Sequence, residues 1–345
     1  MADNSRHGTA AVLIAAVFGT TAAIAEPQAC AHRGQLDTQY CDDNHDLVAD
    51  PPKDPKRWKN PSTLVFAYTP VEDPALYQNI FKLFTDYLAQ CTGKRVVYYP
   101  VQSNSAEIEA MRAGRLHVAS FATGPTGFAV NLAGAVPFAA RGTESKVTGY
   151  NLISIVRSDS PYQKLSDLKG KRVAHIAPSS NSGHLAPLVL YPREGLKPNE
   201  DYKPLMSGGH DKSVLGVFSR DYDMAGVAST VFDRMVDRGT VTGGDFRIIY
   251  RSPVFPAASF TYAHDLAPEL AKTINGCFFA FRFPPEMSKE FQGDDRFRPI
   301  DYLRDWAVVR EIAEKSDTPY NKAAYDAEAR REAATLSKKQ PPAKQ

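Results

Sequence analysis

The segment STLVFAYTPVEDPALYQNIFKLFTDYLAQCTG, residues 62–93, predicts a β-strand followed directly by an amphipathic helix. Residues 64–68 form a short apolar run of the strand type. Asp73 and Pro74 then make a helix start, because aspartate is a favoured N-cap and proline is favoured in the first turn. Apolar residues keep helical spacing as far as Gly93, which ends the helix.

The same order of elements continues along the chain. Residues 96–101 are β-branched and aromatic, which predicts a second strand, and a helix over 105–114 leads to a third strand at 116–122. Strands that alternate with helices form a mainly parallel sheet with helices on its faces. The fold class is therefore α/β.

A second α/β unit follows a strand predicted at 150–157. Residues 165–175, LSDLKGKRVAH, predict a short helix, a glycine turn and a strand. Residues 252–262 return to apolar strand character, so we expect the chain to cross back into the first unit. Two such crossings form a hinge.

The chain length supports two domains with a cleft between them. Its 345 residues exceed what one hydrophobic core usually holds, and 43% of them are hydrophobic, an ordinary globular share. The last eight residues are mostly lysine, glutamine and proline, which predicts disorder. The expected organisation is a signal peptide at 1–25, an N-terminal arm at 26–61, a first domain at 62–157 plus 252–315, a second domain at 158–251, and a C-terminal helix with a disordered tail at 316–345.

The charge balance excludes a nucleic-acid partner. The chain has 41 basic and 39 acidic residues, a net charge of +2, whereas nucleic-acid binding calls for a concentrated basic surface.

The first 25 residues predict export. Arg6 and His7 precede a small apolar run that closes on Ala23-Ile24-Ala25, the pattern of a secretory signal peptide. A buried helix is the alternative, and it leaves the small-residue end unexplained. No later segment offers about 18 apolar residues in a row. We therefore expect a free, soluble, exported protein.

Export makes the four cysteines informative. Cys30 and Cys41 lie in a polar segment, and an oxidising compartment favours a disulfide between them. Cys91 lies near the end of a helical pattern and Cys277 in an apolar run of the strand type, so we expect both to be buried free thiols.

An acidic loop in the arm has the oxygen-rich spacing that calcium prefers, with candidate ligands Asp42, Asn44, Asp46 and Asp50. It lacks the glycine and the glutamate that an EF-hand loop requires. A solvated acidic turn is the favoured interpretation, and a calcium site is the alternative.

Ser180, Asn181 and Ser182, which we call the anion cradle, follow a predicted strand and open an apolar helix. The first N–H groups of a helix have no internal acceptor and lie at the positive end of its dipole. The pattern predicts an anion-binding site that needs no lysine or arginine. A plain helix cap is the alternative. His210, in a glycine-rich turn before another helix, is a candidate donor to the same anion.

The chain resembles the periplasmic phosphonate, phosphite and phosphate binding proteins of ABC importers, which have the type 2 periplasmic-binding-protein fold. The resemblance covers roughly residues 62–315. It depends on the segments EAMRAGR (109–115), SDLKGKRV (166–173), SNSG (180–183) and GH (209–210).

The resemblance implies a set of ligand-binding residues. Ser180, Asn181, Ser182 and His210 would hold the oxyanion, with asparagine where the family usually has threonine. From the first domain, Tyr68 and the turn that contains Thr123 and Thr126 would close the pocket.

Two departures from the family pattern concern the ligand's other end. Members that bind aminoalkylphosphonates hold the ammonium with two carboxylates, and those positions correspond to Thr230 and Ala258. An unpaired ammonium in a closed cleft would lose a large solvation free energy. We therefore expect phosphite, phosphate, methylphosphonate or a similar ligand without an amine.

The implied partner is an ABC permease in the inner membrane, and we expect a monomer without a cofactor. A periplasmic sensor that signals to a membrane histidine kinase is the alternative. An arsenite sensor is disfavoured because Cys91 lies outside the pocket motifs. An enzyme is disfavoured because Ser182 with His184 or His210 has no identifiable carboxylate to orient the histidine.

Overall fold

The computed structural model describes residues 29–337, so the predicted signal peptide and the tail at 338–345 lie outside the described residues. In chain order the strands are β1 (Thr63–Tyr68), β2 (Arg95–Tyr98), β3 (Val118–Phe121), β4 (Ala135–Gly142), β5 (Gly149–Arg157), β6 (Val173–His175), β7 (Leu205–Met206), β8 (Met224–Ala228), β9 (Phe246–Pro256), β10 (Ser259–Ala263) and β11 (Arg296–Pro299).

The helices in chain order are α1 (Pro74–Ile80), α2 (Lys82–Thr92), α3 (Asn104–Arg112), α4 (Thr123–Ala133), α5 (Ala186–Leu190), α6 (His210–Phe218), α7 (Ser229–Asp237), α8 (Pro268–Ala280), α9 (Pro285–Glu290), α10 (Tyr302–Asp305), α11 (Ala307–Lys315) and α12 (Lys322–Ser337). The helix predicted from Asp73 to Gly93 is interrupted at Phe81. Its start is as predicted, because the Asp73 side chain accepts a hydrogen bond from the Ala75 amide at 3.0 Å.

The described chain forms two lobes, each built around one sheet. The first lobe has six strands in the order β11-β4-β10-β3-β1-β2, and the second has five in the order β7-β6-β8-β5-β9. In both sheets the strands that alternate with helices are parallel, as predicted. The strands that return through the hinge pair antiparallel, so both sheets are mixed.

The hinge corrects the expected domain boundaries. Residues 150–157 were assigned to the first domain, but β5 pairs with β8 and β9 in the second sheet. The chain therefore enters the second lobe before Gly149 and leaves it after Pro256, and these two residues are register partners. The Ala257 amide donates to the Thr148 carbonyl at 3.3 Å, which keeps the two crossing segments side by side.

Two disulfides tie the first lobe together. Cys30 and Cys41 form the predicted bond within the arm. The expectation that Cys91 and Cys277 are free thiols was wrong, because they form a second disulfide with a Cα–Cα distance of 6.0 Å. Cys277 lies in helix α8 rather than in a strand, and the bond joins α8 to the end of α2. Aromatic rings of the first-lobe core pack near this bond, among them Phe84 against Phe278 at 4.8 Å.

The acidic loop of the arm forms a turn in which side-chain oxygens accept hydrogen bonds from backbone amides. Asp42 Oδ1 accepts from the amides of Asp46 and Leu47, and Asp46 Oδ1 accepts from the Val48 amide. Asn44 and Asp50 likewise accept from backbone amides. Within residues 29–337, no group of three or more His, Cys, Asp or Glu side chains is arranged to hold a metal ion.

The C-terminal helices lie against both lobes. Helix α11 packs on α4 of the first lobe and α5 of the second. The predicted C-terminal helix is present as α12, and the Tyr325 hydroxyl at its start donates to the Ser105 carbonyl. Between residues 29 and 337, no helix has both the length and the apolar character needed to cross a membrane.

Candidate functional site

A cavity of about 90 Å³ lies between the lobes, where strands of both sheets end. Eight of the nine residues singled out from the sequence for this site line it: Tyr68, Thr123, Ser180, Asn181, Ser182, His210, Thr230 and Ala258. Thr126 does not. Its hydroxyl is enclosed between the Ala122 carbonyl and Ser259 Oγ, at 2.9 Å from each, so it braces the start of α4 rather than facing the cavity.

The anion cradle follows β6 and opens a helical segment, as predicted, although the segment begins with a π-helical turn (Asn181–Leu185) before α5. Ser180 is the N-cap, and its Oγ accepts from the Gly183 amide at 3.1 Å. The amides of Asn181 and Ser182 occupy the first positions of the segment and have no acceptor within it. Both residues line the cavity, so their backbone N–H groups are candidate donors to a ligand there.

Gly183 fits the cradle because the turn lies tightly against strand β6. A Cβ at this position would come within 2.1 Å of Ile176 Cγ1 and 2.7 Å of Ser180 Oγ. Any larger residue would therefore displace the cradle itself.

One of the two terminal atoms of the Asn181 side chain already has a hydrogen-bond partner within the protein. Its amide lies 3.1 Å from the Tyr150 hydroxyl, which also belongs to a cavity-lining residue. A tyrosine hydroxyl can donate or accept, so either orientation of the amide satisfies this contact. The other terminal atom of the amide is buried without a partner in the described structure and is available to a ligand.

His210 is a neutral donor in this setting. Its Nδ1 accepts from the Ala228 amide at 3.1 Å, so the ring proton is on Nε2. Burial lowers the pKa of His210 to about 4; Glu72 favours the charged ring and Arg234 opposes it. The histidine predicted from sequence therefore lines the cavity with an N–H rather than with a full charge.

Arg141 and Arg234 line the cavity too, and the sequence analysis missed both. Arg141 lies at the end of β4 and donates from Nη1 to Asp294 at 2.8 Å. Arg234 lies in α7 and donates from Nη2 to Glu72 at 2.7 Å. In the sequence, Arg141 was visible only as a lone charge at the end of an apolar run, and Arg234 only as one of several charges in a helical pattern. No aspartate or glutamate is among the described residues that line the cavity.

Contacts between the lobes show a closed cleft. Asn104 Nδ2 of the first lobe donates to Ser179 Oγ of the second at 3.2 Å, and the His210 amide lies 3.4 Å from the Val71 carbonyl. The backbones of the two lobes come close together at Gly124, where an added Cβ would be 2.2 Å from the Ser179 carbonyl oxygen.

The Glu72 carboxylate also links the lobes. Its Oε1 accepts from Arg238 at 3.1 Å, while Oε2 accepts from Arg234 and from the Tyr77 hydroxyl. Burial alone would raise the pKa of Glu72, but the attraction of the two arginines and the hydrogen bonds outweigh it, and the pKa is lowered. Arg238 also donates to Glu290 of the first lobe.

Two α/β lobes that meet over a buried, donor-rich cavity and are joined by paired crossing strands are the architecture of a solute-binding protein. The chain belongs to the phosphonate family of periplasmic substrate-binding proteins of ABC transporters. The sequence profile of this family, described as "ABC transporter, phosphonate, periplasmic substrate-binding protein", matches residues 66–306. The family resemblance found in the motifs is thereby confirmed, and the chain is placed among binding proteins rather than enzymes.

Two relatives are about a quarter identical to the chain over the aligned residues. It is 26% identical over 231 residues to the phosphate-import protein PhnD of Mycolicibacterium smegmatis, which covers 63% of this chain and 71% of the relative. It is 24% identical over 217 residues to the phosphonates-binding periplasmic protein of Escherichia coli, which covers 61% of this chain and 64% of that relative.

Solved structures confirm the fold. A binding protein component of an ABC phosphonate transporter from Pseudomonas aeruginosa has a TM-score of 0.66 at 20% identity, with 80% of this chain and 96% of that one covered. PhnD1 of Prochlorococcus marinus, solved in complex with methylphosphonate, has a TM-score of 0.67 at 18% identity, with coverage of 75% and 99%.

Proposed function

We propose that the chain is exported to the periplasm, binds a small phosphorus oxyanion without an amine, and delivers it to an ABC permease of the inner membrane. The ligands of the proposal are phosphite, phosphate, methylphosphonate or a similar phosphorus compound without an amine. The observation that carries it is the anion cradle, which joins His210 in a buried cavity whose described lining contains no carboxylate. The relatives named for phosphate import and for phosphonate binding support the same ligand class.

The proposed ligand residues act as donors of different kinds. The amides of Asn181 and Ser182 and the hydroxyls of Ser180 and Ser182 would meet the oxyanion at the positive end of a helical segment. His210 would add a neutral N–H. Tyr68 and Thr123 would close the site from the first lobe, although the Thr123 hydroxyl already donates to the Pro256 carbonyl at 2.9 Å.

The cavity lining supports the exclusion of an amine. Thr230 and Ala258 line the cavity and carry no charge, and two arginines, one from each lobe, also line it. A ligand ammonium would lose its water without gaining a carboxylate partner, which is strongly unfavourable in a closed cleft.

The mechanism is binding with closure. The ligand would first contact the cradle on the second lobe, and rotation about the paired crossing strands would then bury it. Two contacts between the lobes would stabilise the closed state. Asn104 donates to Ser179, and Arg234 donates to Glu72.

Thermal-shift measurements and calorimetry over phosphate, phosphite, methylphosphonate, 2-aminoethylphosphonate, sulfate and arsenite test the proposal. A ligand that binds only the folded state stabilises it by mass action, so micromolar binders shift the melting temperature. We expect shifts with the first three compounds. If 2-aminoethylphosphonate bound far more tightly than phosphite and methylphosphonate, the amine-free proposal would be wrong.

The partner needs a separate experiment, because the same pocket would serve a sensor that signals to a histidine kinase. Crosslinking of the ligand-loaded protein in membranes of the source organism, followed by mass spectrometry, is expected to recover a permease. Recovery of a kinase instead would support the sensor. Light scattering of the purified protein tests the expected monomer.

A further inference from the structure

Arg141 lines the cavity from the first lobe, whereas the anion cradle lines it from the second. Arg141 belongs to β4. The residue is 5% exposed, and its guanidinium carbon lies 4.0 Å from the centre of the Phe291 ring. Asp294 accepts from Nη1, while Nε is enclosed without an acceptor among the described residues. The Arg141 guanidinium is thus held in place by Asp294 and Phe291, and not all of its N–H groups have an acceptor among the described residues.

Arg234 has the same arrangement on the second lobe. It is 4% exposed, and Glu72 accepts from both Nε and Nη2. No acceptor among residues 29–337 contacts Nη1, so this nitrogen is the part of the guanidinium left for the cavity that Arg234 lines. Each of the two arginines is therefore held by a carboxylate that does not itself line the cavity.

The cavity offers more donors than one small oxyanion needs. One water requires roughly 10–15 Å³ of such space, so a cavity of about 90 Å³ has room for roughly six or more water-sized groups. A phosphite or methylphosphonate on the cradle would leave part of that space, and the guanidinium N–H groups, to solvent. A carboxylate placed there would accept charge-assisted hydrogen bonds, the strongest kind that these donors form.

We infer that the preferred ligand carries a second acidic group, so that it is a phosphonate with a carboxylate at its other end, bound by Arg141 with help from Arg234. This inference rests on the proposed function and narrows its ligand class. The phosphonate group occupies the anion cradle on the second lobe, and the carboxylate contacts Arg141 on the first lobe. An aminoalkyl tail would instead bring an ammonium against two guanidinium groups.

Calorimetry with the full-length mature protein tests the ligand class. Phosphonoacetate is compared with methylphosphonate and with phosphonoacetamide, which has the same size but no second charge. We expect phosphonoacetate to bind about tenfold more tightly than either, the usual worth of one good hydrogen bond to a charged group. If it binds no more tightly than phosphonoacetamide while methylphosphonate still binds, this inference is overturned and the proposed function stands. If no phosphorus compound binds, both are overturned.

Variants test the assignment to Arg141. Arg141→Gln alone would leave Asp294 buried without its partner and could unfold the lobe, so the paired variant R141Q/D294N is measured beside it. In the paired variant we expect the preference for phosphonoacetate over phosphonoacetamide to disappear. The matched control is Arg296→Gln, which removes an arginine that pairs with Asp295 outside the cavity lining, and it should keep the preference. A folded paired variant that retains the tenfold preference would overturn the role of Arg141.

Discussion

The guanidinium of Arg234 donates two hydrogen bonds to Glu72 Oε2 across the cleft, from Nη2 at 2.7 Å and from Nε at 3.2 Å. Both side chains are almost completely buried where they meet, and they come from different lobes. Under the proposed mechanism of binding with closure, this contact forms only when the cleft closes. It would then contribute to ligand affinity without requiring Glu72 to touch the ligand.

Glu72→Gln should weaken ligand binding because the closed state loses a buried charge pair, whereas the open state can solvate Arg234. Truncating one partner of such a pair typically costs about 2 kcal/mol or more, which is roughly a thirtyfold rise in Kd, mostly through faster dissociation. Stopped-flow release kinetics and calorimetry measure both quantities. Asp86→Asn, which breaks the exposed pair with Lys82, is the matched control and should change the Kd little. An unchanged dissociation rate in Glu72→Gln would contradict the cross-cleft role.

Gly183→Ala should abolish tight binding, since the added methyl group cannot fit between the cradle and Ile176. We expect at least about a hundredfold loss of affinity, because two backbone donors move together. The control is Gly276→Ala in helix α8, where nothing lies within 4 Å of an added Cβ. That change should stabilise the protein by about 0.5–1 kcal/mol and leave binding as it is. Wild-type affinity in Gly183→Ala would show that the cradle does not hold the ligand.

The free energy of unfolding should fall as the pH drops from about 6.5 to 4. The pKa of His210 is lowered to about 4 in the folded protein, so over this range the unfolded state binds a proton that the folded state does not. Above pH 6.5 both states are neutral and the histidine contributes no pH dependence. Each such histidine contributes a slope of at most about 1.4 kcal/mol per pH unit.

Urea unfolding of wild type and His210→Gln at several pH values measures that slope. Burial also lowers the pKa of His264 to about 4, and that of His175 well below its usual range, so the wild-type slope has several sources. In the variant, the free energy of unfolding should change less steeply with pH than in wild type. The difference should correspond to the uptake of about one proton. Equal slopes would mean that the pKa of His210 is not lowered in the folded protein.

Removing the Cys91–Cys277 disulfide should destabilise the protein more than removing the Cys30–Cys41 disulfide. The Cys91–Cys277 bond joins residues with a sequence separation of 186, and the Cys30–Cys41 bond joins residues with a sequence separation of 11. The chain-entropy relation gives about 5 kcal/mol for the longer loop and about 3 kcal/mol for the shorter. Denaturant unfolding of the two double Cys→Ser variants tests the order. Thiol labelling of the native protein should find no reactive cysteine, and labelling of Cys91 or Cys277 would restore the free-thiol expectation.

Features encoded locally could be predicted from the sequence. The cradle and His210 each lie at the start of a helical segment, and short-range signals such as capping residues and glycine turns mark these places. The helix start at Asp73 was found in the same way.

Features that depend on distant partners could not be predicted. The burial pattern of β5 is compatible with either sheet, and only pairing with β8 and β9 decides which one it joins. The apolar run that contains Cys277 suits a strand or a buried helix, and periodicity does not separate the two in a short run. Arg141 is held by Asp294, which is 153 positions away in sequence, and Arg234 is held by Glu72, which is 162 positions away. No local sequence pattern records these pairings.

Gly124 gives the closing motion a fixed end point. At this position the first lobe approaches the Ser179 carbonyl without any intervening side chain, so backbone meets backbone when the cleft is shut. A single methyl group there would act as a wedge that holds the lobes apart, while both cores, both disulfides and the cradle remain intact. The absence of a side chain at Gly124 is thus what would allow the two lobes to enclose a ligand completely.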